Sequence, residues 1–251
     1  LHVKIAICLR RVPDTTAKIA IGPSGTAIDE AGVKFVPNPY DEYALEAGIA
    51  LREAAGTGET VVVAFGGDAV QETMRTALAM GVDRGVHLQG TPSADGLANA
   101  RVLADHLRDG GYDLILFGKV AVDDYGQQTG AMVAELLGRP CATAITSLVI
   151  EGGTAKVTRE VEGGVESAHC ALPAVFTCDK GLNTPRLPGL KGIMSAKKKP
   201  LDVVPTVAGA AQVTIVSLAL PPERAAGRIV GEGAAAVPAL IAALTNDAKV
   251  L

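Results

Sequence analysis

Tryptophan is missing from the 251 residues, and aromatic residues of all kinds amount to 3%. Platforms for stacking single-stranded nucleic acid are therefore not available. Net charge is −4 and the one dense basic cluster is Lys197 to Lys199, so nucleic acid is excluded as a main partner. Cysteine is scarce: Cys8, Cys141, Cys170 and Cys178 form no C-x-x-C pair and stand in apolar surroundings. They read as buried free thiols of a reducing compartment. His2, His87, His106 and His169 are isolated from one another and from cysteine at ligand spacing, so no metal site is supported. Long apolar runs are lacking too. VKIAICL (3–9) is too short for a membrane span and no cleavage-site pattern follows it. Residues 203–222 are uncharged but hold Pro205, Gly209 and Gln212, which fits an arm with one strand, Val213 to Leu220, better than a bilayer helix. Catalytic signatures are absent as well: no G-x-S-x-G, Walker, H-E-x-x-H or Cys–His pattern occurs. Gly231 to Ala236 matches G-x-G-x-x-A, but the strand before it is very short and too little chain follows for a βαβ unit.

What is present is alternation. VKIAICL (3–9), TVVVAF (60–65), RGVHL (84–88) and DLILFG (113–118) are aliphatic runs suited to strands buried on both faces. Between them lie helical patterns with boundary signals. In the first, Asn38 caps, Pro39 takes the first helical position, Asp41 and Glu42 face the positive end, and Gly56 stops the run. In the second, Asp68 caps with Gln71 three residues on, and Gly81 ends it. Further helices are predicted over 95–109 and 126–137. Strand and helix in turn imply a parallel α/β sheet with right-handed crossovers. After Gly138, strand-like runs between Gly152-Gly153 and Gly163-Gly164 turns predict an antiparallel meander that includes AVFTCDK (174–180). Residues 1–200 thus form a Rossmann-like nucleotide-binding domain with an antiparallel extension. Residues 201–251 form a C-terminal arm ending in a helix near 237–248, either reaching onto another subunit or poorly ordered.

Two regions can carry function. In open parallel sheets ligands bind beyond the carboxyl ends of strands, and Gly118, Lys119, Val120, Ala121, Val122, Asp123, Asp124, Tyr125, Gly126, Gln127, Gln128 and Thr129 start at such an end and run into a helix. Gly126 permits close backbone approach, the amides and hydroxyl of Gln127 to Thr129 are donors, and the helix start favours phosphate. Asp123 and Asp124 would repel phosphate, so they accept from ribose or fix the loop; Lys119 is one possible counter-charge. Asn38, between Pro37 and Pro39, offers rigid backbone to a base edge. A plain strand-to-helix loop with a solvated acidic pair is the competing reading. The second region is GLNTPRLPGLKGIMSAKKKP (181–200), whose apolar residues Leu182, Leu187, Leu190, Ile193 and Met194 follow neither helical nor strand period. An apolar loop edged by Lys197 and Lys198 suits partner docking; a loop tucking its leucines into its own core is the alternative.

The run Pro185-Arg186-x-Pro188-x-Leu190-x-x-Ile193-Met194-x-Ala196-Lys197-Lys198-Lys199 resembles the recognition loop of the electron transfer flavoprotein β subunit family. Val12-Pro13-Asp14, Pro37 to Glu42, Glu72 to Gly81 and Gly118 to Gly130 resemble the same family, in order, over roughly residues 3–200. The resemblance implies an adenine nucleotide α-hydrolase-like fold and an electron carrier subunit, not an enzyme. It implies AMP held at Cys8, Asn38, Pro39, Tyr40, Asp41, Phe65 and Gly118 to Thr129. It also implies FAD held mainly by an α subunit, with Leu190 as the anchor for acyl-CoA dehydrogenases of fatty acid β-oxidation and transfer onward to a membrane quinone oxidoreductase. The compartment implied is the bacterial cytoplasm or the mitochondrial matrix. Where many relatives have a third acid, Gln and Lys, this chain has Tyr125, Val120 and Ser195. Asp123 to Gly130 departs from the D-G-D-T-A-Q-V-G of electron-bifurcating members, which carry a second FAD and oxidise NADH, whereas Val12 to Thr15 and Asn38 to Asp41 resemble them. An ATP-using enzyme of the same fold is the third alternative.

Overall fold

The computed structural model describes residues 3–223 and 226–251; His2 lies outside them. Strands β1 (Val3–Cys8), β4 (Gly58–Gly66), β5 (Arg84–Gln89) and β6 (Leu114–Gly118) form where aliphatic runs were found, each followed by a helix. Those helices are α1 (Pro39–Ala55), α2 (Val70–Met80), α3 (Gly96–Arg108) and α4 (Thr129–Leu137). A small antiparallel pair, β2 (Arg11–Pro13) and β3 (Phe35–Pro37), interrupts the path from β1 to α1. Alternate residues of β1 explain its unbroken hydrophobicity. Ile5 and Ile7 face the core shared with Leu45, Ile49, Met74 and Leu78, while Ala6 and Cys8 face the core with Leu103, Leu107 and Val133. Both faces are covered, as a parallel sheet requires.

The later strands are β7 (Cys141–Glu151), β8 (Thr154–Val161), β9 (Gly164–Ala171), β10 (Ala174–Cys178) and β11 (Leu201–Pro205). The nine strands stand in the order β11-β5-β4-β1-β6-β10-β7-β8-β9. Only β7-β8-β9 is antiparallel. The predicted meander therefore ends at β9. β10 returns to pair parallel with both β6 and β7, and every residue of AVFTC is buried. An uninterrupted apolar strand belongs inside the sheet rather than at its margin.

Other expectations are corrected. α2 is not capped by Asp68: its N-cap is Ala69, and the Asp68 carboxylate accepts from Gln89 Nε2 at 2.6 Å. A tertiary bond has outcompeted the local one. Cys8 and Cys178 are buried, but Cys141 is exposed at the start of β7 and Cys170 is half-buried. Residues 190–196, read as irregular, form a short helix, α5 (Leu190–Ala196). A Cβ on Gly192 would strike the Ala79 carbonyl, so glycine lets α5 seat on the end of α2, and that contact supplies what local propensity does not. Residues 213–220 form no strand; apolar alternation alone provides no ladder partner, and Val216 stays 89% exposed.

The chain divides into two compact units, Leu1–Ser217 and Leu218–Leu251. The first contains the sheet, including β11. The second holds α6 (Val237–Ala242), continued by a wider turn at Ala243–Asp247, with Arg228 paired to Asp247 at 2.7 Å. No helix among the described residues is long and apolar enough to cross a membrane.

Candidate functional site

From β1 the connections diverge: β4 and β5 lie on one side, β6 and β10 on the other. The carboxyl ends of β1 and β6 therefore flank the crevice where ligands of such sheets bind. Cys8 ends β1, Gly118 ends β6, and α1 packs across both strands. This sets its first turn, Asn38 to Asp41, over the crevice.

The side chains of that turn do not cap α1. Asn38 occupies the N-cap position without a side-chain capping bond. Its Nδ2 donates to the Val120 carbonyl and to Asp41 Oδ1, both at 2.9 Å, while its Oδ1 accepts from Val122 N–H at 3.2 Å. Asp41 accepts from Gly118 N–H at 3.0 Å and Arg10 N–H at 2.7 Å. The expected cap is thus a brace between α1, the turn after β1, and residues 118–122. Burial pushes the Asp41 carboxyl up to about 7 against the pull of those donors and of Arg10. Burial, helped by Asp41, also raises the Cys8 thiol, so it is no thiolate nucleophile.

Lys119 is committed elsewhere. Its Nζ donates to Asp179 at 2.7 Å, which raises its basicity, and it lies 5.7 Å from the centre of the Tyr40 ring. The cation facing Asp123 and Asp124 is Arg10, which pairs with both, at 2.8 Å to Asp123. Burial raises the Asp123 carboxyl and Arg10 lowers it. Sequence reading missed Arg10 and Asp179; the unbalanced acidic pair was the one available signal for the first.

Beyond the brace, Tyr125 and Gln127 take positive φ of 52° and 54°, and Tyr125 to Gln128 are exposed. Gln128 is the N-cap of α4 and makes no side-chain capping bond. Phe65 is the penultimate residue of β4, half-buried against the α3 side of the sheet. Hydrogen bonds thus join Asn38 and Asp41 to Arg10, Gly118, Val120 and Val122, with Asp123 and Asp124 joined through Arg10 and with Cys8 ending the adjacent strand β1. A surface hollow of about 220 Å³ lined by Asp14, Thr16, Lys18, Val33 and Lys34 shares no residue with it. Among the described residues no group of three His, Cys, Asp or Glu side chains is placed to hold a metal.

The docking candidate sits apart on α1 and α2. Arg186 pairs with Glu46 (2.8 and 2.9 Å) and Glu53 (2.8 and 2.9 Å), and Asn183 Nδ2 donates to Tyr43 O at 2.9 Å. Arg75 donates to the carbonyls of Ala196 and Lys199, and Lys199 Nζ donates to those of Leu78 and Val82, closing the end of α2. Leu182 tucks against the core, but Leu187 is 91% exposed, Leu190 76%, and Ile193 and Met194 are exposed with them. Lys197 and Lys198 follow α5 at its end. The reading of leucines tucked into their own core therefore holds for Leu182 and fails for Leu187 and Leu190.

Residues 25–220 match the family described as Electron transfer flavoprotein domain. Curated relatives called "Electron transfer flavoprotein subunit beta" include that of Syntrophomonas wolfei, 42% identical over 90% of this chain and 89% of its own. That of Bradyrhizobium diazoefficiens is 38% identical over 99% and 100%, and that of Homo sapiens 40% over 90% and 92%. With matches of that extent over a doubly covered sheet of this topology, the chain belongs to the electron transfer flavoprotein β-subunit family.

Proposed function

We propose that this chain is the β subunit of a heterodimeric electron carrier. It holds AMP in the β1/β6 crevice, completes a flavin site on an α subunit, and presents Leu190 to flavin dehydrogenases such as acyl-CoA dehydrogenases. A membrane quinone oxidoreductase then receives the electrons, in the bacterial cytoplasm or the mitochondrial matrix. FAD, when bound, supplies the one- and two-electron chemistry; this chain's residues bind, orient and dock.

The observation that carries the reading is the apolar cluster of Leu187, Leu190 and Met194, left in solvent on a segment that Arg186, Arg75 and Lys199 pin to two helices. Ordering a segment is costly, and here the cost is met before any partner arrives. A carrier that must release its partners needs a small contact, below about 1,200 Å² in total, dominated by few side chains. Two features of the crevice support a nucleoside monophosphate there. The first-turn N–H groups of α4 lack a side-chain cap and suit a phosphate, and the braced backbone of Asn38 to Asp41 suits a base edge. Val203, Val204, Val213, Ile215 and Val216 expose a further apolar run suited to the α subunit.

Purification of the complex with its α subunit, acid extraction and identification of released nucleotides tests this. One FAD and one AMP per heterodimer supports the reading. Two FAD favours the bifurcating alternative, and no nucleotide overturns both.

A further inference from the structure

Charge at the mouth of the crevice is unbalanced. Asp123 and Asp124 place two carboxylates shortly ahead of the start of α4, and Lys119, the nearest lysine in sequence, is bound to Asp179. A phosphate at the α4 terminus would meet that pair across a short distance, where like charges repel strongly unless a cation intervenes. The cation in place is Arg10, and its backbone is fixed on both sides. Its N–H donates to Asp41 at 2.7 Å, and its carbonyl accepts from Asn38 N–H at 2.9 Å. From that anchor the guanidinium reaches over to both acids, with Nη2 2.8 Å from Asp123. The segment it grips is an awkward one: Tyr125 and Gln127 both lie in the left-handed region that side-chain-bearing residues avoid. Asp124 also turns back on the segment, accepting from Gly126 N–H at 2.9 Å. One arginine therefore ties the end of β1, through two carboxylates, to the path by which the chain enters α4.

We propose that Arg10 is the positioning residue that lets this crevice accept an anionic nucleotide. Gripping Asp123 and Asp124, it cancels the charge those acids would otherwise turn on the phosphate. The inference rests on the nucleotide reading above and goes beyond it by assigning phosphate tolerance to a side chain that need not touch the ligand. It separates two roles: the brace of Asn38 and Asp41 sets the shape of the crevice, and Arg10 sets its charge.

The test uses the full chain in complex with its α subunit, stripped of nucleotide, with binding of AMP and of adenosine measured by calorimetry. Arg10→Met is expected to weaken AMP about tenfold or more at low salt while changing adenosine by about twofold or less, because adenosine carries no phosphate to repel. The AMP penalty shrinks as salt rises and screening takes over. Arg10→Lys, which keeps the charge and loses the fork, retains most of the preference for AMP. The triple variant Arg10→Met, Asp123→Asn, Asp124→Asn removes all three charges and is expected to restore AMP binding to within about threefold of wild type. Equal losses for AMP and adenosine, no loss at all, or no recovery in the triple variant would overturn the assignment of Arg10. Failure of the wild-type complex to bind either compound would instead overturn the nucleotide reading itself, a result visible before any variant is made.

Discussion

The carboxylate of Asp41 receives the backbone N–H of Gly118 at 3.0 Å, joining the first turn of α1 to the last residue of β6. The two chain segments lie so close that a side chain on residue 118 has nowhere to go. A Cβ there would stand 2.6 Å from the Tyr40 carbonyl carbon and 2.7 Å from the Asp41 nitrogen, both backbone atoms that cannot rotate away. Gly118→Ala is expected to cost about 1–3 kcal/mol of stability through overpacking and to lower nucleotide retention. Urea unfolding of the variant within experimental error of wild type would show that the two segments separate freely.

Asp41 also gives the fold a pH dependence of unusual sign. Its carboxyl is pushed from the ordinary 3.8 up to about 7, mainly by burial. Across that window the native state holds a proton that the unfolded chain has lost. The contribution of this group to stability is therefore greatest near pH 4 and declines as pH rises through about 7. The span is roughly three units, at about 1.4 kcal/mol each, which makes the decline up to about 4 kcal/mol. Asp41→Asn removes the titration. The expected result is a thermal midpoint that varies less between pH 4 and 7 in the variant than in wild type. Parallel curves for the two proteins would refute it.

The parallel half of the fold was legible because two-sided burial writes unbroken aliphatic runs, and VKIAIC, TVVVAF and LILFG are such runs. AVFTC was equally clear as a strand, but its place between β6 and β7 depends on a return across the sheet that no local pattern encodes. Capping was misread at Asn38 and Asp68 for a shared reason: both side chains found partners far along the chain, in Val120 with Val122 and in Gln89. Helix α5 was hidden because its support comes from Ala79 and Arg75 rather than from its own residues. At the site, the residue types of Gly118 to Thr129 raised the expectation of an anion loop, and its counter-charge was the part the sequence left open. Lys119 was the local choice, and Asp179 had already claimed it.

Arg186 is the pin of the docking segment. Its guanidinium meets both Glu46, which is buried, and Glu53, and those carboxylates hold it more firmly protonated than usual. Arg186→Ala leaves the Glu46 carboxylate buried without its partner, and the expected loss is on the order of 2 kcal/mol. Hydrogen exchange is expected to speed up over residues 181–196 while the β1–β6 core keeps its protection. Unchanged exchange there would mean that the contacts of α5 with α2 suffice alone.

Leu190 and Leu182 lie in one segment with opposite burial, and this allows docking to be separated from folding. Leu190 is 76% exposed, so Leu190→Ala removes little from the native core and is expected to change unfolding free energy by less than about 0.5 kcal/mol. Leu182 packs against the core, so Leu182→Ala is expected to cost about 1–2 kcal/mol of stability. For partner association the order reverses. If the contact is small and Leu190 fills a pocket on the dehydrogenase, its loss is worth on the order of 2 kcal/mol, or about 30-fold in affinity. Reduction of the flavin by a dehydrogenase, followed against carrier concentration, reads this as a raised KM with kcat little altered. The Leu182 variant is expected to keep the wild-type KM wherever it remains folded. Wild-type KM in the Leu190 variant would remove the anchor role from this residue. Leu187, 91% exposed on the same pinned segment, would be the next side chain to truncate.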